Sequence, residues 1–245
     1  MTKTFCIPPV FWSELCDKAC GFFWAGTRQP SNSGAECNTT AFQFLLKHNQ
    51  SDFQTPGSTA SYYHWEKLAF VTFWRSPSDF VLLCFDLHPE TARLIRRDLA
   101  LNPRTIFEPE SPFALHSFVM LHVVQRFDQA LWAWRDTVRY WEKRRPDHRQ
   151  GSSDRYKDMH EIARHLIHCS ESLTTGLSVV DGMIKECELH VQGGCGTSAT
   201  SRRELDFHAS MLKCLLQRSK ALEARMQNEI NLVSGIHNLT KAGAQ

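Results

Sequence analysis

Residues 113–146 read FALHSFVMLHVVQRFDQALWAWRDTVRYWEKRRP, and within them Met120, Val124, Phe127, Leu131, Trp134, Val138 and Trp141 recur at alternating steps of four and three. That spacing keeps large apolar groups on one stripe of a helix, so the segment is predicted to be a long amphipathic helix that ends at Pro146. Asp147 to Asp154, with Gly151-Ser152-Ser153 inside it, reads as a polar linker. A second stripe follows: Met159, Ile162, Leu166, Cys169, Leu173, Leu177, Val180 and Ile184. It predicts a second helix that packs back on the first as an antiparallel pair. His190 to Arg202, carrying Gly193-Gly194-Cys195-Gly196, is expected to be a loop, and a third helix to run from Arg203 to Leu239.

Ahead of the helices the period changes. Leu68–Trp74 and Phe80–Phe85 are rich in β-branched and aromatic residues, and Ser76-Pro77-Ser78-Asp79 between them supplies turn chemistry, so a hairpin or two adjacent strands is expected. Pro89 suits the first turn of a helix through Leu101, which Asn102-Pro103 would end. The first 60 residues combine Phe11, Trp12, Phe22, Phe23 and Trp24 with a polar stretch from Gln29 to Thr40, and read as a loosely organised lead-in. The expected fold class is α+β, mostly α: a lead-in over 1–60, a small strand-containing lobe over 61–112, and a helical region over 113–245 with a long stalk-like last helix.

Composition narrows the function classes. Hydrophobic residues make up 42% and charged residues 22% of the 245, the balance of a folded soluble chain rather than a disordered one. The net charge is +2, and the dense basic cluster from Arg139 to Arg149 also carries Glu142 and Asp147, so no nucleic-acid partner is indicated. Nine cysteines, an odd number without repeated spacing, read as free thiols in a reducing, cytoplasmic compartment. Glu14, Asp17 and Lys18 interrupt any apolar leader after Phe11 and Trp12, so the N-x-S/T triplets at Asn38, Asn49 and Asn238 are read as chance matches. No run reaches the roughly 18 apolar residues needed to cross a bilayer, and no span is expected.

The chemistry candidates are few. Glu161, His165 and His168 fall four and three apart on one helical face, a set that can ligate a metal and that supports the alternative of a soluble metal-dependent enzyme. Against that, the motif is not H-E-x-x-H, and Arg164 projects from the same face. The competing reading pairs Arg164 with Glu161 and turns the histidines to solvent or to a neighbouring layer. Cys16 and Cys20 lack a second pair at matching spacing, and Cys169 lies on the apolar stripe as an inert thiol. No nucleophile elbow or phosphate-binding loop occurs, so no catalytic or cofactor-binding residue is assigned. Trp134 and Trp141 are expected in the core, and Asp136 in local pairs with Arg135 and Arg139.

Three segments carry a family resemblance. The first is Phe127-Asp128 with Trp132, Arg135-Asp136, Val138-Arg139 and Glu142-Lys143; the second is His160-Glu161 with Arg164-His165, His168 and Glu171. The third is Arg218-Ser219, Ala221-Leu222-Glu223, Arg225 and Gln227-Asn228-Glu229-Ile230-Asn231-Leu232. Together they resemble fungal CorA-like divalent-cation (Mg2+) transporter-type proteins. The resemblance implies the soluble cytosolic regulatory or assembly part of such a protein, with the last segment on the stalk helix. It also implies Mg2+ or another divalent cation, self-association through the C-terminal helix, and a membrane-embedded CorA-like partner. After Leu232 the chain departs from the pattern as Val233-Ser234-Gly235, and the family's Gly-Met-Asn pore signature does not follow, so transport by this chain alone is not expected. A helical scaffold for protein–protein interaction is the remaining alternative.

An independent heptad pattern runs along the same third helix. Leu212, Leu215, Leu222, Met226, Val233 and Ile236 form a packing or assembly seam, with polar faults at His208, Ser219 and Glu229. Leu215, Leu222 and Met226 are expected to be buried chiefly against the first two helices.

Overall fold

The computed structural model describes residues 7–28, 37–50, 63–75, 79–101, 111–144, 153–192 and 199–242. The fold is α+β. A short 3-10 turn at Pro9–Trp12 and a helix α1 (Glu14–Lys18) lead into four strands, β1 (Gly21–Arg28), β2 (Cys37–Asn49), β3 (Tyr63–Arg75) and β4 (Asp79–Phe85). The helices α2 (Pro89–Leu101), α3 (Ala114–Lys143), α4 (Ser153–Gln192) and α5 (Ala199–Ala242) follow. The sheet is antiparallel in the order β1-β2-β3-β4.

Part of this departs from the sequence reading. The stretch expected to be a loose lead-in supplies β1 and β2, half of the sheet, because Ala41–Leu46 and Gly21–Trp24 carry enough aromatic and apolar groups to cover both sheet faces. His190 and Arg202, placed in a loop, lie inside α4 and α5, since nothing at 190–192 or 199–202 breaks a helix. The turn at 76–78, the break at Asn102-Pro103, residues 147–152 of the linker and the Gly193–Gly196 run lie outside the described residues, whereas Ser153 and Asp154, also placed in the linker, begin α4. The β3–β4 pairing and the span of α2 agree with expectation.

Alternation along the strands assigns the two faces. Phe42, Phe44 and Leu46 on β2 and Leu68 and Phe70 on β3 point to the helices, where they join Val119, Met120, Phe127, Leu131 and Trp134 of α3 and Met159, Ile162, Leu166 and Leu173 of α4 in one core. Ala41 and Val71 point the other way and pack with Ile7, Phe11, Phe22, Trp24, Leu83 and Phe85. Sheet and helices therefore share a core rather than forming separate lobes.

α4 lies in the middle layer, between the sheet and α5. Its close approach to β1 depends on Gly182, where a Cβ would come within 2.9 Å of the Phe23 ring, and on Gly21, where one would come to 3.0 Å from the Thr175 methyl of α4. The seam of α5 is consumed inside the chain: Leu212, Leu215, Leu222, Met226 and Val233 are all buried, together with Leu205 and Ile230, against α3 and α4. Ile236 lies where no side chain is described. Two of the polar faults are accommodated locally. Ser219 accepts a hydrogen bond from Ser170 of α4 at 2.9 Å, and the Ser117 main chain hydrogen-bonds His208.

Candidate functional site

One end of the sheet gathers most of the buried charge. β1 stops at Gly21, opposite Phe44, so among the described residues Leu45–Asn49 of β2 have no strand beyond them on that side. An exposed strand edge invites unwanted pairing. Here α3 and α4 close it: the Trp134 indole N–H donates to the Lys47 carbonyl at 2.9 Å, and Asn49 reaches Ala133 O at 3.4 Å and the Thr137 hydroxyl.

Lys47 is 3% exposed. Its Nζ donates to His168 Nδ1 at 2.9 Å and stands 3.9 Å from the Tyr63 ring centre and 4.8 Å from that of Trp65. The ammonium thus trades water for one imidazole nitrogen and two aromatic faces. Burial holds its pKa below the usual lysine value, with Arg164 adding to the effect and Cys169 opposing it. His168 accepts the Lys47 hydrogen bond as a neutral ring, and burial followed by Lys47 pushes its pKa down.

His165 is 2% exposed and packs against Tyr63 at 4.5 Å, Trp134 at 5.2 Å and His168 at 6.4 Å. Neither of its ring nitrogens makes a hydrogen bond, although Nε2 lies 3.3 Å from Glu161 Oε1. Burial, then the charges of Lys47, His168 and Arg164, bring its pKa down to about 4. Glu161 pairs with Arg164.

The structure thus brings Glu161, His165 and His168 to one place but fills that place with a cation of the protein's own. A divalent ion there would stand beside the Lys47 ammonium and the Arg164 guanidinium, and His168 Nδ1 is already engaged, so the residues fit a metal poorly. The sequence reading placed both histidines on a polar face opposite the apolar stripe. That face is polar, yet His165 is buried, because α4 is covered on both sides.

On the other face of the same sheet end lies a carboxylate network. Glu66 of β3 takes His48 Nε2 at 2.5 Å, Arg126 of α3 at 2.7 and 3.0 Å, and the Thr91 hydroxyl of α2 at 3.2 Å. Burial raises the Glu66 pKa, but His48 and Arg126 together outweigh it and hold the group down to about 2. The His64 ring stacks on His48 at 4.9 Å, and burial lowers its pKa. Sequence reasoning missed Lys47, His48, Glu66 and Arg126. The available signal was a Lys-His pair and a Glu inside apolar, β-rich runs, where a charged side chain needs a partner.

Elsewhere the candidates separate. Cys16 is buried and Cys20 exposed, both free. Cys169 is buried and its thiol is pushed up to about 12. Trp134 and Trp141 are in the core, whereas Trp132 is exposed between Arg135 at 5.0 Å and Arg218 at 4.8 Å. Asp136 pairs with Arg135 at 2.8 Å. Outside its buried seam, α5 presents Met211, Cys214, Ala221 and Leu232 to solvent along one stripe. Among the described residues no helix is long and apolar enough to cross a membrane.

No family model matches the chain. The Notoamide biosynthesis cluster protein M' of Aspergillus versicolor is 28% identical to it over 193 residues, covering 71% of this chain and 42% of that protein. The chain therefore spans less than half the length of that relative. Among solved structures, the cytoplasmic domain of ZntB from Vibrio parahaemolyticus RIMD 2210633 superposes with a TM-score of 0.56 at 10% identity, over 98% of this chain and 82% of that one. At that identity the likeness is one of fold.

Proposed function

We propose that the chain is a non-catalytic cytosolic module of the CorA-like type, a regulatory or assembly part that works by association rather than by chemistry. The observation that carries this reading is the fold overlap with the ZntB cytoplasmic domain over 98% of the chain. It is joined to the family-like segments within residues 127–143, 160–171 and 218–232. Two features of the molecule support it. At the sheet end, Glu66 is neutralised by His48 and Arg126 and Lys47 is boxed by rings, an arrangement that serves packing. On α5, an outer stripe of Met211, Cys214, Ala221 and Leu232 stays exposed after the inner seam is used. This stripe, interrupted by Arg218 and Arg225, is the part of α5 left to form a surface shared with a second copy of the chain.

The family resemblance adds a membrane-embedded CorA-like protein as a further partner, and Mg2+ or another divalent cation as the ion that acts on the association. Sedimentation velocity over about a hundredfold range of concentration, with and without Mg2+, tests the reading. A monomer giving way to a weak oligomer as concentration rises, in a balance that Mg2+ shifts, is the expected result. A single species of constant mass under every condition counts against it.

A further inference from the structure

The N-terminal turns of α3 and α5, from Ala114 to Leu121 and from Thr200 to His208, line a groove of about 440 Å³. Its walls are Phe118, Leu121 and Phe207, and the last two remain 44% and 59% exposed. Its floor includes His208, 6% exposed, whose pKa burial lowers so that the ring stays neutral near pH 7. Its rim carries Arg203 and Glu204.

These two charges are unlike their neighbours. Arg202 is held by Asp206 at 3.0 Å and by Glu188, Arg225 by Glu142 at 2.6 Å, and Arg218 by Asp128 at 3.6 Å. Among the described residues, neither Arg203 nor Glu204 has an ion-pair or hydrogen-bond partner. A groove of this volume lies in the range that holds small molecules, and apolar walls with a few convergent polar groups are what such sites require. Opposite charges at one rim, above apolar walls, complement a ligand that carries both signs at one end and an apolar group at the other.

We propose that this groove binds a small zwitterion with an apolar body, of the size and chemistry of an aromatic α-amino acid. Arg203 takes the carboxylate, Glu204 with His208 takes the ammonium, and Phe118, Leu121 and Phe207 pack the side chain. The site goes beyond the association reading: none of its lining residues belongs to the stripe of α5 used there, which starts at Met211, one turn after Phe207.

The test uses the full chain and three probes followed by NMR titration: L-phenylalanine, phenethylamine, which lacks the carboxylate, and 3-phenylpropionate, which lacks the ammonium. L-phenylalanine is expected to bind about tenfold more tightly than either analogue, the loss of one charge-assisted contact. Arg203→Gln should then bring L-phenylalanine down to phenethylamine, and Glu204→Gln should bring it down to 3-phenylpropionate. Both residues are exposed, so the variants keep the fold. No binding at about 10 mM, a Kd range beyond a useful contact, would overturn the proposal. So would equal binding of all three probes, or a ranking that neither substitution changes.

Discussion

The Lys47 ammonium donates to His168 Nδ1 at 2.9 Å, across from β2 to α4, so a buried cation is held by a neutral base rather than by a carboxylate. The side chain then contributes mainly as packing, 3% exposed and with its ammonium against the Tyr63 and Trp65 rings. Lys47→Ala should destabilise the protein by about 2–4 kcal/mol, from the cavity it leaves. Lys47→Met keeps the volume and removes a desolvated charge, so it should be neutral within about 1 kcal/mol or stabilising. Urea unfolding of the three proteins decides. A methionine variant as damaged as the alanine one would show that the charge, not the packing, holds this end of the sheet.

The same cation predicts weak metal affinity at Glu161, His165 and His168. His165→Ala should leave the metal content of protein purified without chelator unchanged and lower the melting temperature only through lost packing. Stoichiometric zinc that survives dialysis and disappears in the variant would promote the metalloenzyme alternative over a role in association.

Stability should fall on acidification, and the sign follows from the buried histidines. His116 is pushed down to about 3 by burial and His165 to about 4, and His122, His168 and His208 are also lowered. Below pH 6.5 the unfolded chain binds protons that the folded rings do not, so their contribution is present above 6.5 and is lost as pH falls toward the folded values. Each group accounts for at most about 1.4 kcal/mol per pH unit. Glu66, held at about 2, acts in the same direction below pH 4.5, because its ionised form is the one the fold stabilises. Thermal melts between pH 7.5 and 5 should show a decline that sets in near pH 6.5 and steepens below it. A melting temperature flat across that range contradicts the burial of these rings.

Helix existence was legible in the sequence because one apolar stripe per helix is enough to specify it, as Met120 to Trp141 do on α3. The extra burial of α4 was not. Its second covered face carries His165 and His168, residues that periodicity alone assigns to a polar surface, and only the pairing of β2 with β3 brings Lys47, Tyr63 and Trp65 over them. The strands β1 and β2 escaped notice because aromatic clusters near a polar stretch gave no clean alternation. The partnership of Glu66 with Arg126, sixty residues apart, rests on tertiary contact that no local pattern announces.

The thiols should differ in reactivity in a way that burial dictates. Cys20 and Cys214 are exposed and free, while Cys169 and Cys187 are buried with thiols pushed up to about 12 and about 11. Timed alkylation of the native protein should label the first pair early and the second pair only on unfolding. In denaturant all nine cysteines should react. A disulfide between any two of them would contradict the reading of the cysteines as free thiols of a reducing compartment.

Leu222, 1% exposed between α5 and its neighbours, tests the inner seam. Leu222→Asp buries a charge without a partner and should cost at least about 4 kcal/mol, enough to unfold much of the protein. A variant that stays folded with an unchanged melting temperature would show that the seam is not buried.

Association of the chain through the outer stripe of α5 is tested most directly by sedimentation velocity of the wild-type protein beside Met211→Asp/Leu232→Asp. Both positions are exposed, at 38% and 43%, so the double variant should keep the fold and its melting temperature. The wild-type sedimentation coefficient is expected to rise with concentration while the double variant stays monomeric. Identical behaviour of the two proteins across the whole range would contradict association through that stripe.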